Sequence, residues 1–396
     1  MFPLMILLIL LYGPGQAKAE EPFVPNEGSP YMDFADIGLN QILHIPTGLL
    51  VSRDQMIDTL GTSRVIYIGE IHDNIEAHRI QLEVIQSIFA RFPGKVAVGM
   101  EMFRQSAQSD LDLWVERRLS DEKFKKLFRK NWGTGFKLYQ PIFEFIKENR
   151  LPLIGLKSSK ETEARLRKGY TQVNFPEMDE NDIYHRAHAE AVFGGGKENH
   201  GRQIDGLYKM LVLWEESMAE TVAEFLNNPE RSNWKLIVLA GGFHVQYGYG
   251  IPKRAFRRSP HAYSILLPVV TDVPKELKDR EMKIKPVSIP LYAADFGWKI
   301  PYEVLPQNRI RLGIRIKDDS QKGVRVVSVA KNSTAEKMKI AKDDLLLELD
   351  GERISGVEDL IDLLQTKDFG DPVNLLVRRK GQKINLEGII EKQATH

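Results

Sequence analysis

Cysteine is absent from the sequence of 396 residues. Its absence excludes thiolate catalysis, zinc sites with cysteine ligands, Fe–S clusters and disulfide bonds. It also excludes a membrane anchor that depends on a lipid-modified cysteine. Any chemistry at a functional site must therefore come from histidine, carboxylate, phenol and other oxygen or nitrogen groups.

A dominant charge is also lacking, because 55 Lys and Arg residues face 54 Asp and Glu residues and leave a formal net charge of +1. Such a chain has no global field that would recruit nucleic acid. Two local basic runs, Lys123–Lys130 and Arg254–Arg258, are typical of solvated faces. We therefore expect no nucleic-acid partner.

The first segment of the sequence, MFPLMILLILLYGPGQAKA, has an apolar core of roughly ten residues, which is too short for a comfortable transmembrane helix. Ala17-Lys18-Ala19 has the form of an A-x-A cleavage site. We expect residues 1–19 to be a signal peptide, and the mature protein to lie in the periplasm or on the outer surface of the inner membrane. An uncleaved segment is the alternative, and it is the only membrane association that we expect.

Strand and helix patterns alternate after a lead-in, containing Pro and Gly, that extends to about Leu60. The predicted strands are Val65–Ile68, Val96–Met100, Leu153–Leu156, Leu236–Leu239 and one near Tyr263–Leu267. This order predicts an α/β fold with a mainly parallel sheet and helices on both faces. Glycine and proline mark a break around Ile289 to Gln307, so we assign the α/β domain to residues 30–295.

The remainder of the chain has a different pattern, with short strands and two helices, at Val357–Leu364 and Ala335–Met338. It resembles a PDZ domain over residues 305–392, and Leu312-Gly313-Ile314 fits the position where such a domain holds a peptide carboxylate. The resemblance implies a small β-rich domain that binds protein C-termini or extended peptides. The alternative is a module that only packs on the first domain.

Ionisable residues follow three of the predicted strands. Glu70 and His72 come after the first strand, Glu101 after the second and His244 after the fourth. The carboxyl ends of parallel strands meet at one edge of a sheet, so these four side chains should share one rim. They could bind a divalent metal, provide a general base with an orienting carboxylate, or line a pocket for a polar ligand.

Two further pairs of residues are candidate ligands. His185 and His188 stand three apart on a predicted helix, a spacing that suits a shared metal or an axial haem ligand. Tyr247 and Tyr249 could place a phenol over a haem iron. The alternatives are a solvent-facing helix for the histidines and loop packing for the tyrosines.

Four motifs in order, YIGEIHDNIEAHRIQLEVI, VAVGMEMF, LWEESMAETVAEFL and AGGFHVQYGYGIP, resemble the ChaN family of haem-binding, iron-regulated proteins. This family belongs to the wider Tiki, TraB and erythromycin-esterase-like superfamily, and the resemblance covers about Asp58 to Val270. It implies haem binding, a homodimer and a role in iron uptake. Proteins of this family are typically outer-membrane lipoproteins, and this chain departs from them because it has no cysteine to acylate.

The family's site positions are carried over residue by residue. Glu70 and His72 match G-E-x-H, His78 and Gln81 match H-x-x-Q, Glu101 matches the acidic residue after the second strand, Glu216 matches D-E-x-M-A, and His244 matches G-x-x-H. In hydrolytic relatives the positions of Glu70, His72, Glu101 and His244 form the catalytic or metal cluster. The haem ligand is not identified by motif, and His244, Tyr247, Tyr249 and the pair His185/His188 all remain candidates.

The sequence thus predicts an exported haem-binding protein of iron acquisition or haem handling, with a PDZ module for protein or peptide partners. In this reading Arg254, Arg257 and Arg258 would hold the haem propionates. One alternative is a metal-dependent hydrolase or peptidase in which the Glu/His cluster surrounds a metal-bound water. Another is a non-catalytic periplasmic adaptor that works through its PDZ module.

Overall fold

The computed structural model describes residues 34–169, 175–193, 201–280, 289, 291–305, 310–319 and 323–391. The expected signal peptide, residues 1–19, lies outside the described residues. The chain divides into two compact units, Met1–Glu303 and Val304–His396.

The first unit contains eight strands and nine α-helices among its described residues. In chain order they are β1 (Ile42–His44), β2 (Leu49–Val51), α1 (Arg53–Thr62), β3 (Val65–Glu70), α2 (Ile75–Arg91), β4 (Val96–Arg104), α3 (Gln108–Val115), α4 (Asp121–Asn131), α5 (Phe136–Asn149), β5 (Leu153–Lys157), α6 (Lys160–Arg167), α7 (Ile183–Phe193), α8 (Gly201–Asn227), β6 (Lys235–Gly241), α9 (Ile251–Arg258), β7 (Tyr263–Val269) and β8 (Phe296–Lys299).

These strands form one sheet in the order β2-β1-β8-β7-β3-β6-β4-β5. The six strands from β8 to β5 in this order are mutually parallel, and β1 and β2 form an antiparallel hairpin at the edge beside β8. Strand β3 lies near the centre of the sheet. Strands β4 and β5 lie on one side of it, and β7 and β8 lie on the other. The carboxyl ends of strands at such a position are where open α/β sheets hold ligands.

Strand β3 shows why the fold has helices on both faces. Its alternate residues Ile66 and Ile68 pack with α2, α4 and α5, whereas Val65 and Tyr67 pack with α8 and α9. All four side chains are fully buried, as expected for a parallel strand covered on both sides. The predicted fold class, a mainly parallel sheet between helices, is confirmed.

Two parts of the first unit differ from the sequence expectation. The lead-in contains the hairpin of β1 and β2 and the helix α1, and the expected break contains β8 with the fully buried Trp298. Strand β1 pairs with β8, more than two hundred residues later, and each strand has only three or four residues. Periodicity cannot identify such short strands, because their stability comes from a distant partner.

The second unit consists of β9 (Ile314–Asp319), β10 (Gly323–Val329), α10 (Thr334–Lys337), β11 (Leu345–Leu349), β12 (Glu352–Arg353), α11 (Val357–Gln365), β13 (Pro372–Arg379) and β14 (Gln382–Ile389). Its sheet is antiparallel in the order β14-β13-β11-β10-β9, with β12 paired to β11. A separate apolar core lies between this sheet and α11. The expectation of a small β-rich unit after the α/β unit is confirmed.

Within the parts of the chain described above, no helix is both long enough and apolar enough to cross a bilayer.

Candidate functional site

The end of β3 and the turn after β6 bring the predicted rim residues together. Glu70 is in register with Gly241, and His72 lies just beyond. A Cβ added at Gly241 would come within 3.2 Å of Nε2 of His72 and 3.6 Å of Oε2 of Glu101. The glycine thus allows the side chains from β3 and β4 to approach the backbone of β6.

Glu70 orients His72 at this rim. Oε1 of the buried carboxylate lies 2.5 Å from Nδ1 of His72, and the hydroxyl of Tyr139 donates to the same oxygen at 2.6 Å. Burial alone would raise the pKa of Glu70, but the hydrogen bond from His72 and the nearby imidazoles outweigh it and lower the pKa. Burial likewise opposes the charge on His72, but Glu70 outweighs burial and raises its pKa. The His72 side chain is 49% exposed, so its ring is accessible.

The predicted residues His78 and Gln81 support Glu70 from α2. Nε2 of Gln81 donates to Oε2 of Glu70 at 3.0 Å, and Oε1 of Gln81 lies 3.1 Å from Nδ1 of His78. The other ring nitrogen of His78 lies 3.1 Å from the carbonyl oxygen of His72. Both are buried, and they fix the Glu70–His72 pair from behind.

Glu101 occupies the middle of the rim. Its Oε2 accepts a hydrogen bond from the backbone N–H of Gly241 at 2.9 Å, and its Oε1 lies 3.2 Å from Nζ of Lys157 and 3.5 Å from Nε2 of His244. Burial would raise the pKa of Glu101, but His244 and Lys157 hold it well below its usual range. Glu101 is therefore an ionised carboxylate between two cations.

Lys157 was missed in the sequence, although a usable signal was there. It is the last residue of β5 and follows the same pattern as the other strand-end residues. Its ammonium lies 5.2 Å from the ring centre of Trp132 and 4.6 Å from that of Trp214. The edge of Trp132 also contacts His72, with 5.1 Å between ring centres. The rim is thus flanked by two tryptophans.

His244 lies between two carboxylates. Its Nδ1 is 3.1 Å from Oε1 of Glu215 on α8, and its Nε2 faces Glu101. Burial opposes its charge, but Glu101 and Glu215 raise its pKa to about 10. At neutral pH His244 is therefore an imidazolium held between the two carboxylates.

Glu216, the family-motif position on α8, faces away from this rim. Its carboxylate accepts hydrogen bonds from Arg254, Arg257 and Arg258 on α9 and from the backbone N–H of Asp179. Glu216 is completely buried. The three arginines that the haem interpretation assigns to the propionates are paired here with a carboxylate of the chain itself.

His185, predicted on one helical face, is also occupied. Its Nε2 lies 2.9 Å from Oε2 of Glu215, and Arg254 donates to its Nδ1 at 3.2 Å. An arginine can only donate, so Nδ1 of His185 accepts here, whereas Nε2 lies close to Oε2 of Glu215 without hydrogen-bond geometry. Glu215 therefore links α7 to His244 and the rim.

His188 lies in a different setting, packed among the aromatic rings of Phe243, Tyr247 and Tyr249. The centre of its ring is 4.7 Å from that of Phe243, 5.2 Å from Tyr247 and 6.4 Å from Tyr249. Burial lowers the pKa of His188 to about 4, so the imidazole is neutral at physiological pH. Among the described residues no group hydrogen-bonds its buried Nδ1, nor the buried hydroxyl of Tyr249. We call these four residues the aromatic pocket.

Tyr247 is held in an unusual backbone conformation, with φ at 57°. Its N–H donates to the carbonyl oxygen of Ala293 at 2.8 Å, which fixes the turn. A left-handed conformation costs a bulky residue about 1 kcal/mol, and such residues concentrate at functional sites. The chain keeps a tyrosine where glycine or asparagine would be easier to accommodate.

Apolar side chains are exposed beside the aromatic pocket on α7. Ile183 is 73% exposed, Tyr184 51% and Phe193 37%. Tyr184 stacks on Tyr249, and Phe193 contacts Phe243. We call Ile183, Tyr184 and Phe193, which lie at the two ends of α7, the apolar stripe.

The predicted peptide site lies in the second unit. Gly313 has φ at 82°, which favours glycine, and it separates the buried Leu312 from Ile314 at the start of β9. Strand β9 is the last strand of its sheet, so no described strand covers its outer edge. An edge strand after a glycine turn is what peptide addition requires.

The geometry of the rim residues does not support the predicted metal site. Within the described ranges, no group of three or more His, Asp or Glu side chains is arranged to hold a metal ion. The rim carboxylates instead accept hydrogen bonds from histidine, lysine, tyrosine and backbone donors.

Each of the two units matches a known protein family. Residues 56–255 match the family described as haem-binding uptake, Tiki superfamily, ChaN, and residues 311–388 match the PDZ domain family. A solved structure described as cofacial haem binding to ChaN of Campylobacter jejuni aligns with a TM-score of 0.51 at 17% identity. That alignment covers 65% of this chain and 95% of the other, and it shows a shared fold.

The second unit is similar to part of larger proteins. The serine protease Do-like HtrA of Lactobacillus helveticus is 30% identical over 82 residues, which are 20% of this chain and 20% of that protein. The PDZ domain of HtrA3, solved with a phage-derived ligand, is 24% identical over 20% of this chain and 82% of that domain, with a TM-score of 0.18. This chain therefore spans about a fifth of the curated relative that it matches.

Proposed function

Because the chain belongs to the ChaN family of haem-binding uptake proteins in the Tiki superfamily, we propose that it binds haem in the aromatic pocket and serves haem handling or iron acquisition. The observation that carries this proposal is His188, a buried neutral imidazole with an unpaired nitrogen, placed among Phe243 and two tyrosines. Histidine and tyrosine are both axial haem ligands in proteins.

The chemistry of the residues in the aromatic pocket suits a haem group. Aromatic walls and the apolar stripe suit the faces of a porphyrin, and the unpaired Nδ1 of His188 and hydroxyl of Tyr249 supply donor atoms. Bound haem would supply an iron that accepts an axial nitrogen or oxygen ligand. We assign the axial role to His188, with the phenols of Tyr247 and Tyr249 beside it.

Two other candidate ligands are less suitable than His188. His244 is protonated and its nitrogens face Glu215 and Glu101. His185 has Glu215 at one nitrogen and Arg254 at the other. Coordination by His244 would require breaking a buried ion pair, which is strongly destabilising, and coordination by Nδ1 of His185 would displace Arg254.

A haemin titration followed by Soret absorbance tests the proposal. We expect saturable binding, a shifted Soret band and weaker binding in His188→Ala, and smaller changes in Tyr247→Phe and Tyr249→Phe. His44→Ala, a histidine on the antiparallel strand β1, is the matched control. Absence of saturable binding by the wild-type chain would refute the haem function, and an unaltered spectrum in His188→Ala would refute the assigned ligand.

The apolar stripe supports a homodimer as part of this function. Ile183 and Tyr184 at the start of α7 and Phe193 at its end are exposed, and exposed apolar side chains are a feature of interaction sites. Sedimentation of the chain with and without haemin tests this. We expect the wild-type chain to be a dimer and the Ile183→Lys variant to be a monomer. A monomer under both conditions would contradict it.

Export is the proposed context. The apolar segment before Ala17-Lys18-Ala19 supports a signal peptide, and the mature chain would act in the periplasm or at the outer surface of the inner membrane. Fractionation of cells that express the full chain, with amino-terminal sequencing of the exported form, tests this. A chain recovered uncut in the cytoplasm would refute it.

The rim supports a second candidate function, acid–base hydrolysis. The accessible His72 is oriented through Nδ1 by the buried Glu70, which is itself held by Tyr139 and Gln81. A base with an orienting carboxylate is the arrangement that general acid–base catalysis uses. A screen of ester and peptide substrates tests it: Glu70→Gln should lose turnover while far-UV circular dichroism stays unchanged. Glu76→Gln on α2 is the control.

The second unit supports peptide recognition through its PDZ fold. The free edge of β9 and the glycine turn at Gly313 are the features that carry this part of the proposal. A peptide with a free carboxylate should bind, and the same peptide amidated at its C-terminus should not. Equal binding of both, or binding of neither, would refute carboxylate recognition.

A further inference from the structure

We propose that the second unit selects peptides with acidic residues at the penultimate and fourth-last positions, and that Arg315 and Lys317 on β9 read them. This inference rests on the proposed recognition of peptide C-termini by the same unit. It names the chemistry of the partner: a C-terminal tail with apolar and acidic residues in alternation.

The two faces of β9 differ in chemistry. Ile314 and Ile316 are half-buried and pack against the core of the second unit, whereas Arg315 and Lys317 are exposed. Successive side chains of a strand point to opposite faces, so the apolar pair and the basic pair lie on different sides of the sheet. A peptide added to β9 would have the same alternation.

The apolar face of β9 meets α11. The backbone N–H of Val357 donates to Oδ1 of Asp318 at 2.7 Å, which ties the start of the helix to the end of the strand. Val357 packs on the core, and Ile361, one turn later, is 44% exposed. The last and third-last residues of a bound peptide would face this surface, so apolar residues are expected there.

The opposite face of β9 is basic. None of the ion pairs among the described residues of the second unit involves Arg315 or Lys317. The nearby acidic groups are occupied: Asp319 accepts a hydrogen bond from Arg325 at 2.6 Å, and Asp318 accepts one from Val357.

Strand β10, the neighbour of β9 within the sheet, does not offset the positive charge of Arg315 and Lys317. Lys317 is in register with Arg325 of β10, and Arg315 is in register with Ser328. The basic face is therefore open to an acidic partner on the outer side.

The direction of the peptide follows from the glycine turn. With its carboxylate at Gly313, a peptide runs antiparallel to β9, and its penultimate and fourth-last side chains fall beside Arg315 and Lys317. Opposite charges on directly paired strand positions contribute a small but measurable attraction, which corresponds to about two- to five-fold in affinity for each acidic residue.

Fluorescence anisotropy with labelled peptides tests the inference on the full chain. The test peptide ends in Glu-Val-Glu-Val with a free carboxylate, and matched peptides carry Gln or Lys in place of both Glu. We expect affinity to fall from the Glu to the Gln to the Lys peptide, and the difference to shrink at high salt. Arg315→Gln and Lys317→Gln should each remove part of the preference.

The control variant is Lys383→Gln, which removes one positive charge from β14 at the opposite edge of the sheet and should leave the preference intact. Equal affinities of the Glu and Gln peptides, or a preference that survives both β9 substitutions, would overturn the inference while peptide recognition stands. Failure of every free-carboxylate peptide to bind would overturn the proposed peptide recognition and this inference with it.

Discussion

Nδ1 of His244 lies 3.1 Å from Oε1 of Glu215, and this contact joins the end of β6 to α8. Nε2 of the same ring lies 3.5 Å from Oε1 of Glu101 on β4. One imidazolium thus offsets two buried carboxylates, and those carboxylates in turn keep it charged. The rim is held together by charge alternation between elements that are far apart in the sequence.

Replacement of this imidazolium should destabilise the first unit. His244→Gln leaves Glu215 and Glu101 short of a positive partner, and breaking a buried pair in this way costs about 3 kcal/mol in the free energy of unfolding. Urea unfolding at neutral pH measures the loss, with the half-buried His44→Gln as control. A loss no larger than that of the control would contradict the role of His244.

The same substitution has a pH dependence of known sign. The pKa of His244 rises from 6.5 to about 10 on folding, so its contribution to stability is complete below pH 6.5 and is lost as the pH rises through about 10. The stability gap between wild type and His244→Gln should therefore narrow across this range. A gap that stays constant or widens would contradict the raised pKa.

Glu216 should be as important for stability, for a different reason. Glu216→Gln leaves the guanidinium groups of Arg254, Arg257 and Arg258 without their shared carboxylate, and we expect a loss of about 3 kcal/mol. Glu220, one turn later on α8, has a pKa raised by burial, so Glu220→Gln should change stability by only about 0.5 kcal/mol. Similar losses in both variants, measured by urea unfolding, would contradict the central role of Glu216.

The sequence predicted the five strands β3 to β7 because each has enough buried β-branched or leucine residues to be recognised locally. It also predicted that Glu70, Glu101 and His244 share one edge, since strand ends converge in a parallel sheet. Lys157 obeys the same rule at the end of β5 and could have been found by it.

Other features of the site depend on information that a single sequence does not hold. Glu215 and Glu216 are adjacent on α8 and so point in directions about 100° apart; only the position of the helix decides which of them reaches His244. The same position of α8 places Glu216 in contact with the arginines of α9. The aromatic pocket around His188 likewise requires α7 and the turn after β6 to meet, which no local pattern indicates.

The pair of Glu70 and His72 predicts a measurable titration. Glu70 raises the pKa of His72, so Glu70→Gln should lower that pKa, because burial then acts without the compensating carboxylate. Nuclear magnetic resonance of the His72 Cε1–H signal follows the titration, and Glu76→Gln on α2 is the control. An unchanged pKa in Glu70→Gln would show that the carboxylate does not polarise this imidazole.

The backbone conformation of Tyr247 predicts that a glycine variant is more stable there than an alanine variant, which is the reverse of the usual order. At φ 57° a Cβ is strained, so Tyr247→Gly should be more stable than Tyr247→Ala by about 1 kcal/mol. Tyr249, two residues later, has φ at −68° in the right-handed region, and there alanine should be the more stable of the two by about 0.5 to 1 kcal/mol. Thermal unfolding of the four variants compares both sites, and the same order at both would show that Tyr247 is not strained. The expected inversion would mean that the chain accepts this strain at Tyr247 in order to keep a phenol in the aromatic pocket.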